Sequence, residues 1–198
     1  MLRRAYEKGL ARSEEAKSAS DLLTVVEFGR FEECWATFLM KYCGVFTILE
    51  QGAKVSEESS YWFGLVKSQI KKDPMLSYLK QARNSEEHGL EAVILKQPST
   101  MRLENRRPLM DIYVSYNEAG EIKFSEPRFG LTSDVKGLPE RMILRDVVDG
   151  RSGKVYRVPE KHLSEEILDN SPAKIASMAI NFCRSTLESA EKLVVDRT

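Results

Sequence analysis

The sequence predicts an α+β protein, a mainly helical bundle with an antiparallel β-hairpin excursion placed before the C-terminal helix. Three observations lead there. Apolar residues recur at Phe31, Cys34, Trp35, Phe38, Leu39, Tyr42, Val45, Phe46 and Leu49, which is the 3.6-residue period of an amphipathic helix. Asp73-Pro74 and Ser171-Pro172 each join an N-cap residue to a proline preorganised for the first helical position. Between those two starts, Met110, Ile112, Val114 and Tyr116 alternate with polar residues, the period of a strand.

Taken in order, residues 1–20 are polar and charged and predict only a short helix. The periodic helix from Phe31 ends near Gly52, and a second begins after Ser56, carrying Trp62, Phe63, Leu65, Val66 and Ile70. The helix from Pro74 runs through Met75, Leu76, Tyr78, Leu79 and Ala82. Ala92 to Leu95 reads either as a strand or as the tail of that helix. The alternating run turns at Asn117-Glu118-Ala119-Gly120 into Ile122 and Phe124. A second hairpin is expected from Met142 to Val148, through Asp149 to Gly153, into Val155, Tyr156 and Val158. The last helix carries Ile175, Met178, Ala179, Phe182 and Leu193 on one stripe. We read residues 1–198 as one domain. Its parts are a helical portion over 21–90, a β-rich insertion over 91–165, and a helix over 171–195 returning to the bundle.

The totals narrow the function classes. Hydrophobic residues make up 42% and charged residues 30%, so the chain can bury a core and is not of disordered composition. Lys plus Arg and Asp plus Glu are 30 each, so any nucleic-acid contact must rest on a local basic patch. The apolar stretch from Trp35 to Leu49 is interrupted by Lys41 and does not read as a membrane span. The first residues show no apolar signal region, so a cytoplasmic location is expected. Cys34, Cys43 and Cys183 have neither metal nor redox spacing; Cys34 and Cys183 fall on apolar stripes and are expected in the core. Trp35, Trp62 and Phe63 are likewise core expectations. His162 reads as a lone exposed histidine after a strand. No glycine-rich phosphate loop or nucleophile elbow occurs, and neither a metal nor a cofactor is expected.

The segment Arg83-Asn84-Ser85-Glu86-Glu87-His88 breaks the pattern of its helix. Arg83 continues the stripe of Leu76 and Leu79, where an apolar residue belongs. Asn84 and His88 share a face at i, i+4. Arg83 and His88 are five apart, about 140° around a helix, so one narrow face cannot hold both. On physics alone the run also reads as a solvated helix end, with an Arg83–Glu87 ion pair and Gly89 as its cap.

The run fits the pattern R-x4-H, with a polar residue directly after the arginine, late on a bundle helix. It resembles the signature of HEPN domains, helical bundles of toxin–antitoxin, antiviral and RNA-processing systems. The stretch from Asp73 to Gly89, preceded by Tyr61-Trp62-Phe63-Gly64, is also similar to a group of uncharacterised bacterial proteins of about this length. The HEPN resemblance covers residues 31–90, with the last helix as a candidate extension, and leaves 91–165 unexplained. It implies a metal-independent endoribonuclease that uses the RNA 2′-hydroxyl as nucleophile. His88 would then transfer protons, Arg83 hold the scissile phosphate and Asn84 orient either. It also implies a homodimer that brings two motifs together, and an antitoxin-type protein partner. Lys71, Lys72 and Lys80, with Lys67 beside them, or Arg102, Arg106 and Arg107, are the candidate RNA-binding cations. Because some HEPN domains are not nucleases, the alternative is a catalytically silent dimerisation or interaction module.

Overall fold

A computed structural model describes residues 1–88, 92–103, 111–116, 122–124 and 135–195; for His88 and the strands between 100 and 138 it describes the backbone alone. The chain divides into two compact units, one built from Met1–Ile94 with Leu144–Thr198 and the other from Leu95–Ile143. The first is helical, the second β-rich, and the fold is α+β.

The helical unit starts with α1 (Arg3–Leu22), which packs along α2 (Phe28–Ala53). The short helix expected over 1–20 is in fact 20 residues long. Its buried face is made of Ala5, Gly9, Ser13, Ala16, Ala19 and Ser20, so it has a helical period in side-chain size and almost none in hydropathy. Small residues let the two backbones approach. A Cβ on Gly52 of α2 would collide with the Cβ of Ala5 and come within 2.8 Å of the Met1 sulfur. Lys41 on α2 pairs with Glu15 on α1 at 2.5 Å.

Helix α2 buries the periodic residues singled out above. Trp35, Phe38, Tyr42 and Phe46 stand in file with ring centroids 5.1–5.6 Å apart, and the file continues to Phe182 and the edge of His162. Inside this aromatic packing the Trp35 Nε1 and Tyr42 Oη are buried without hydrogen-bond partners among the described residues. Ser56 caps α3 (Glu57–Lys72), accepting from the Ser59 N–H, while Glu57 and Glu58 at its start and Lys71 and Lys72 at its end suit the helix dipole. Asp73 and Pro74 open α4 (Pro74–His88), with the Leu76 N–H donating to Asp73 Oδ1 at 2.8 Å. Ser171 caps α5 (Pro172–Glu191), which buries Ile175, Ala179, Phe182, Cys183 and Leu187. Leu193 lies beyond that helix. Trp62 of α3 donates to Ser189 of α5 at 3.2 Å.

In the β-rich unit, β2 (Thr100–Leu103), β3 (Asp111–Tyr116), β4 (Ile122–Phe124) and β5 (Val135–Leu138) form an antiparallel sheet in the order β4-β3-β2-β5. The first expected hairpin is β3–β4, in register Val114 with Phe124 and Tyr116 with Ile122; Met110 and the turn residues 117–121 lie outside the described residues. Ala92 to Leu95 resolves toward a strand, since β1 (Ile94–Gln97) pairs with β6 (Arg141–Leu144).

The second expected hairpin needs correction. Met142 to Leu144 belongs to β6, and only β7 (Val147–Val148) pairs with β8 (Val155–Tyr156). Arg145-Asp146 interrupts the run, with the Arg145 N–H donating to the Val93 carbonyl and Asp146 accepting from the Val158 N–H. From Leu144 onward the strands belong to the helical unit, so the stretch read as a 91–165 insertion is shared between the two units. A last small pair, β9 (Lys161–His162) and β10 (Glu165–Glu166), turns through Leu163 and Ser164. Both turn residues have positive φ, 49° and 72°, a conformation normally left to Asn and Gly.

Candidate nucleic-acid cleft

Helix α4 presents Leu76, Ser77, Lys80, Gln81, Arg83 and Asn84 along one face, at the i, i+3, i+4, i+7 spacing. They form one wall of a cleft of about 570 Å³. Helix α2 supplies Met40, Tyr42, Cys43, Phe46 and Glu50, α3 supplies Phe63, Lys67, Ile70 and Lys71, and the β7–β8 hairpin supplies Lys154 and Tyr156. Arg83 thus does continue the Leu76–Leu79 stripe and reaches the edge of the bundle beside α2. Its guanidinium and the Lys80 ammonium both act on Cys43. Burial nevertheless pushes that thiol up to about 12, so it stays protonated and unreactive at neutral pH.

Five cations and one carboxylate line the cleft among the described residues. Three of the cations are engaged. Lys67 pairs with Glu50 at 2.6 Å. Lys154 lies 4.6 Å from the centre of the Tyr156 ring. Arg83 donates from Nη2 to Glu87 at 2.8 Å and from Nη1 to Asn84 Oδ1 at 3.3 Å. Its fork is therefore satisfied within its own helix, and a phosphate has to share or displace Glu87. Lys71 and Lys80 are exposed and have no ion-pair partner among the described residues.

The other acidic residue of the motif is turned to a different task. Glu86 accepts the Val93 N–H at 3.3 Å, closing the chain after α4. Burial, joined by the charge of Glu32, holds its carboxyl above the usual range in spite of that hydrogen bond. Neither Glu86 nor Glu87 is among the cleft residues. His88 occupies the next position on the Asn84 face, one turn on, and its side chain lies outside the described residues.

Of the candidate RNA-binding cations, Lys71 and Lys80 line the cleft and Lys72 does not. Arg102 stands on β2 opposite Asp111 and Lys136, described by backbone alone, and Arg106 and Arg107 lie outside the described residues. Lys154 and Tyr156 carry no signal of this role in the sequence, because nothing local to them shows that their hairpin packs against α4.

His162 also corrects its sequence reading. It is 8% exposed, and its Nδ1 lies 3.2 Å from Asp73 Oδ1. The other oxygen of Asp73 accepts the Leu163 N–H at 2.7 Å. One carboxylate thus caps α4, holds the strained turn and orients a buried histidine. Burial pushes the Asp73 carboxyl up, but the hydrogen bonds from His162, Leu163 and Leu76 outweigh it and hold it below the usual range.

No group of three or more His, Cys, Asp or Glu able to hold a metal occurs among the described residues, and no helix there is long and apolar enough to cross a membrane. Compared with known proteins, the chain matches no family model, and neither the curated proteins nor the solved structures contain a significant match.

Proposed function

We propose that the cleft along α4 receives RNA and that the protein is a HEPN-type, metal-independent endoribonuclease. The observation that supports it is the cleft's excess of positive charge in a chain that is neutral overall. Among the described residues, five cations and one carboxylate line the cleft whose α4 wall carries Arg83 and Asn84. A local field of this kind attracts phosphates where the whole molecule does not.

In the proposed reaction the RNA 2′-hydroxyl attacks the adjacent phosphorus and the P–O5′ bond breaks. The products are a 2′,3′-cyclic phosphate and a free 5′-hydroxyl. One proton leaves the 2′-oxygen and one is delivered to the 5′-oxygen, a transfer assigned to His88. Arg83, once exchanged from Glu87 to the phosphate, offsets the charge that builds on its oxygens. A homodimer would join two motifs into one site. A toxin, defence or RNA-processing role and an antitoxin-type partner belong to the same reading.

The Arg83–Glu87 pair favours a second reading, a silent HEPN-like dimerisation or interaction module, because a guanidinium satisfied inside its own helix does not need a substrate. One experiment separates the two. Purified protein in EDTA should cleave RNA to 2′,3′-cyclic ends, and Arg83→Ala or His88→Ala should each lower the rate about 100-fold or more. Cleavage that survives both substitutions, or none by the native chain, removes the nuclease reading.

A further inference from the structure

We infer that the cleft holds one unpaired nucleotide, its phosphate on Lys71 and Lys80 and its base in the apolar recess beside Gln81. The inference rests on the reading of the cleft as an RNA site and says which part of an RNA enters it.

Size is the first argument. A volume of about 570 Å³ is that of a small-ligand pocket. It takes one nucleotide with its sugar and phosphate, and a base still paired and stacked in a duplex cannot be splayed into it. Charge is the second. Lys67, Arg83 and Lys154 already have partners, which leaves Lys71 at the end of α3 and Lys80 on α4 as the cations open to an anion.

The third argument is the surface between them. A site for bare phosphate needs only polar walls, but this cleft also exposes Met40, Ile70 and the half-buried Tyr156, over buried Phe46 and Phe63. An apolar recess next to cations suits a ligand with a flat apolar face joined to an anion, and every nucleotide has that form. Gln81 completes the set. Its amide has no partner among the described residues and offers a donor and an acceptor together, which is what a base edge requires.

The test is calorimetric titration of the intact protein with AMP, GMP, CMP and UMP, beside ribose 5-phosphate, inorganic phosphate and polyglutamate. At least one nucleotide should bind about tenfold more tightly than ribose 5-phosphate, which has the phosphate and sugar but no base. Lys71→Ala/Lys80→Ala should weaken it about tenfold or more, and both positions are exposed, so the fold is kept. Gln81→Ala should narrow the spread among the four nucleotides with little change for ribose 5-phosphate. Equal binding of phosphate or ribose 5-phosphate overturns the inference, as does full affinity in the lysine double variant. Polyglutamate binding as tightly as any nucleotide also overturns it and marks a surface for acidic protein. Nucleotide binding without RNA cleavage would remove the nuclease reading alone. Cleavage with no saturable nucleotide binding would remove this inference alone.

Discussion

Replacing Asp73 tests how the motif helix is held. In Asp73→Ala the Leu76 N–H loses its cap, worth about 1 kcal/mol. The Leu163 N–H and the buried His162 Nδ1 lose an anionic acceptor, at least about 1 kcal/mol each, the lower end of the cost of leaving a buried polar group unsatisfied. Together these give a loss of about 3 kcal/mol, with release of the positive-φ turn adding to it. Asp73→Asn keeps one acceptor oxygen and should lose about half as much. Trp35 and Trp62 both belong to the helical unit, so their fluorescence during urea unfolding reports on that unit alone. A loss under about 1 kcal/mol for the alanine variant would refute the account of Asp73 as a three-way acceptor. The pH dependence follows in sign. The folded carboxyl lies below its ordinary value, so its contribution is complete above that ordinary value and disappears as pH falls through the folded one. The native chain should therefore lose more stability than Asp73→Asn on acidification below about pH 4.

Gly52→Ala should destabilise by about 2 kcal/mol or more through overpacking against Ala5 and Met1, while Gly64→Ala on α3, where nothing lies within 4 Å, should gain about 0.5–1 kcal/mol; paired urea curves check both. Ser164→Gly should gain about 1 kcal/mol by relieving a φ of 72°, read as a raised melting temperature. Glu87→Gln should change stability by less than about 0.5 kcal/mol, the worth of an exposed helix pair, yet tighten single-stranded RNA binding by freeing Arg83. Binding weakened by Glu87→Gln would show that the carboxylate positions the arginine instead of competing for it.

What could be read in the sequence depended on which physical signal each element uses. Helices α2 and α5 bury large apolar side chains with a clean period, and α3, α4 and α5 carry side-chain caps, so their places were legible. Helix α1 was not, because Ala, Gly and Ser on its packed face leave no hydropathy pattern although they let it pack closely against α2. The run from Met142 to Val148 concealed its division, since the buried face shifts by one residue from Met142 and Leu144 to Val147 while Ile143 and Val148 keep the stretch apolar at both phases. At the site, the face of α4 was legible from helical spacing alone. The other walls come from residues distant in sequence, and Lys154 and Tyr156 could not be placed before the hairpin was. The burial of His162 is hidden for the same reason, its partner Asp73 being 89 positions away.

The helical unit is discontinuous in sequence, and that has a kinetic consequence. Helix α5 docks only after a segment of about 50 residues has been looped out, an entropic penalty on the order of 3–4 kcal/mol for a flexible chain. Pairing of β1 with β6, fastened by the Lys96–Glu140 ion pair and the Arg141–Gln97 hydrogen bond, brings the two ends of that segment together. If this pairing precedes α5 docking, the long loop becomes a short one, and weakening it should slow folding more than it speeds unfolding. A pair of four-residue strands that contribute no residue to the cleft would then govern how fast the bundle that carries Arg83 is completed.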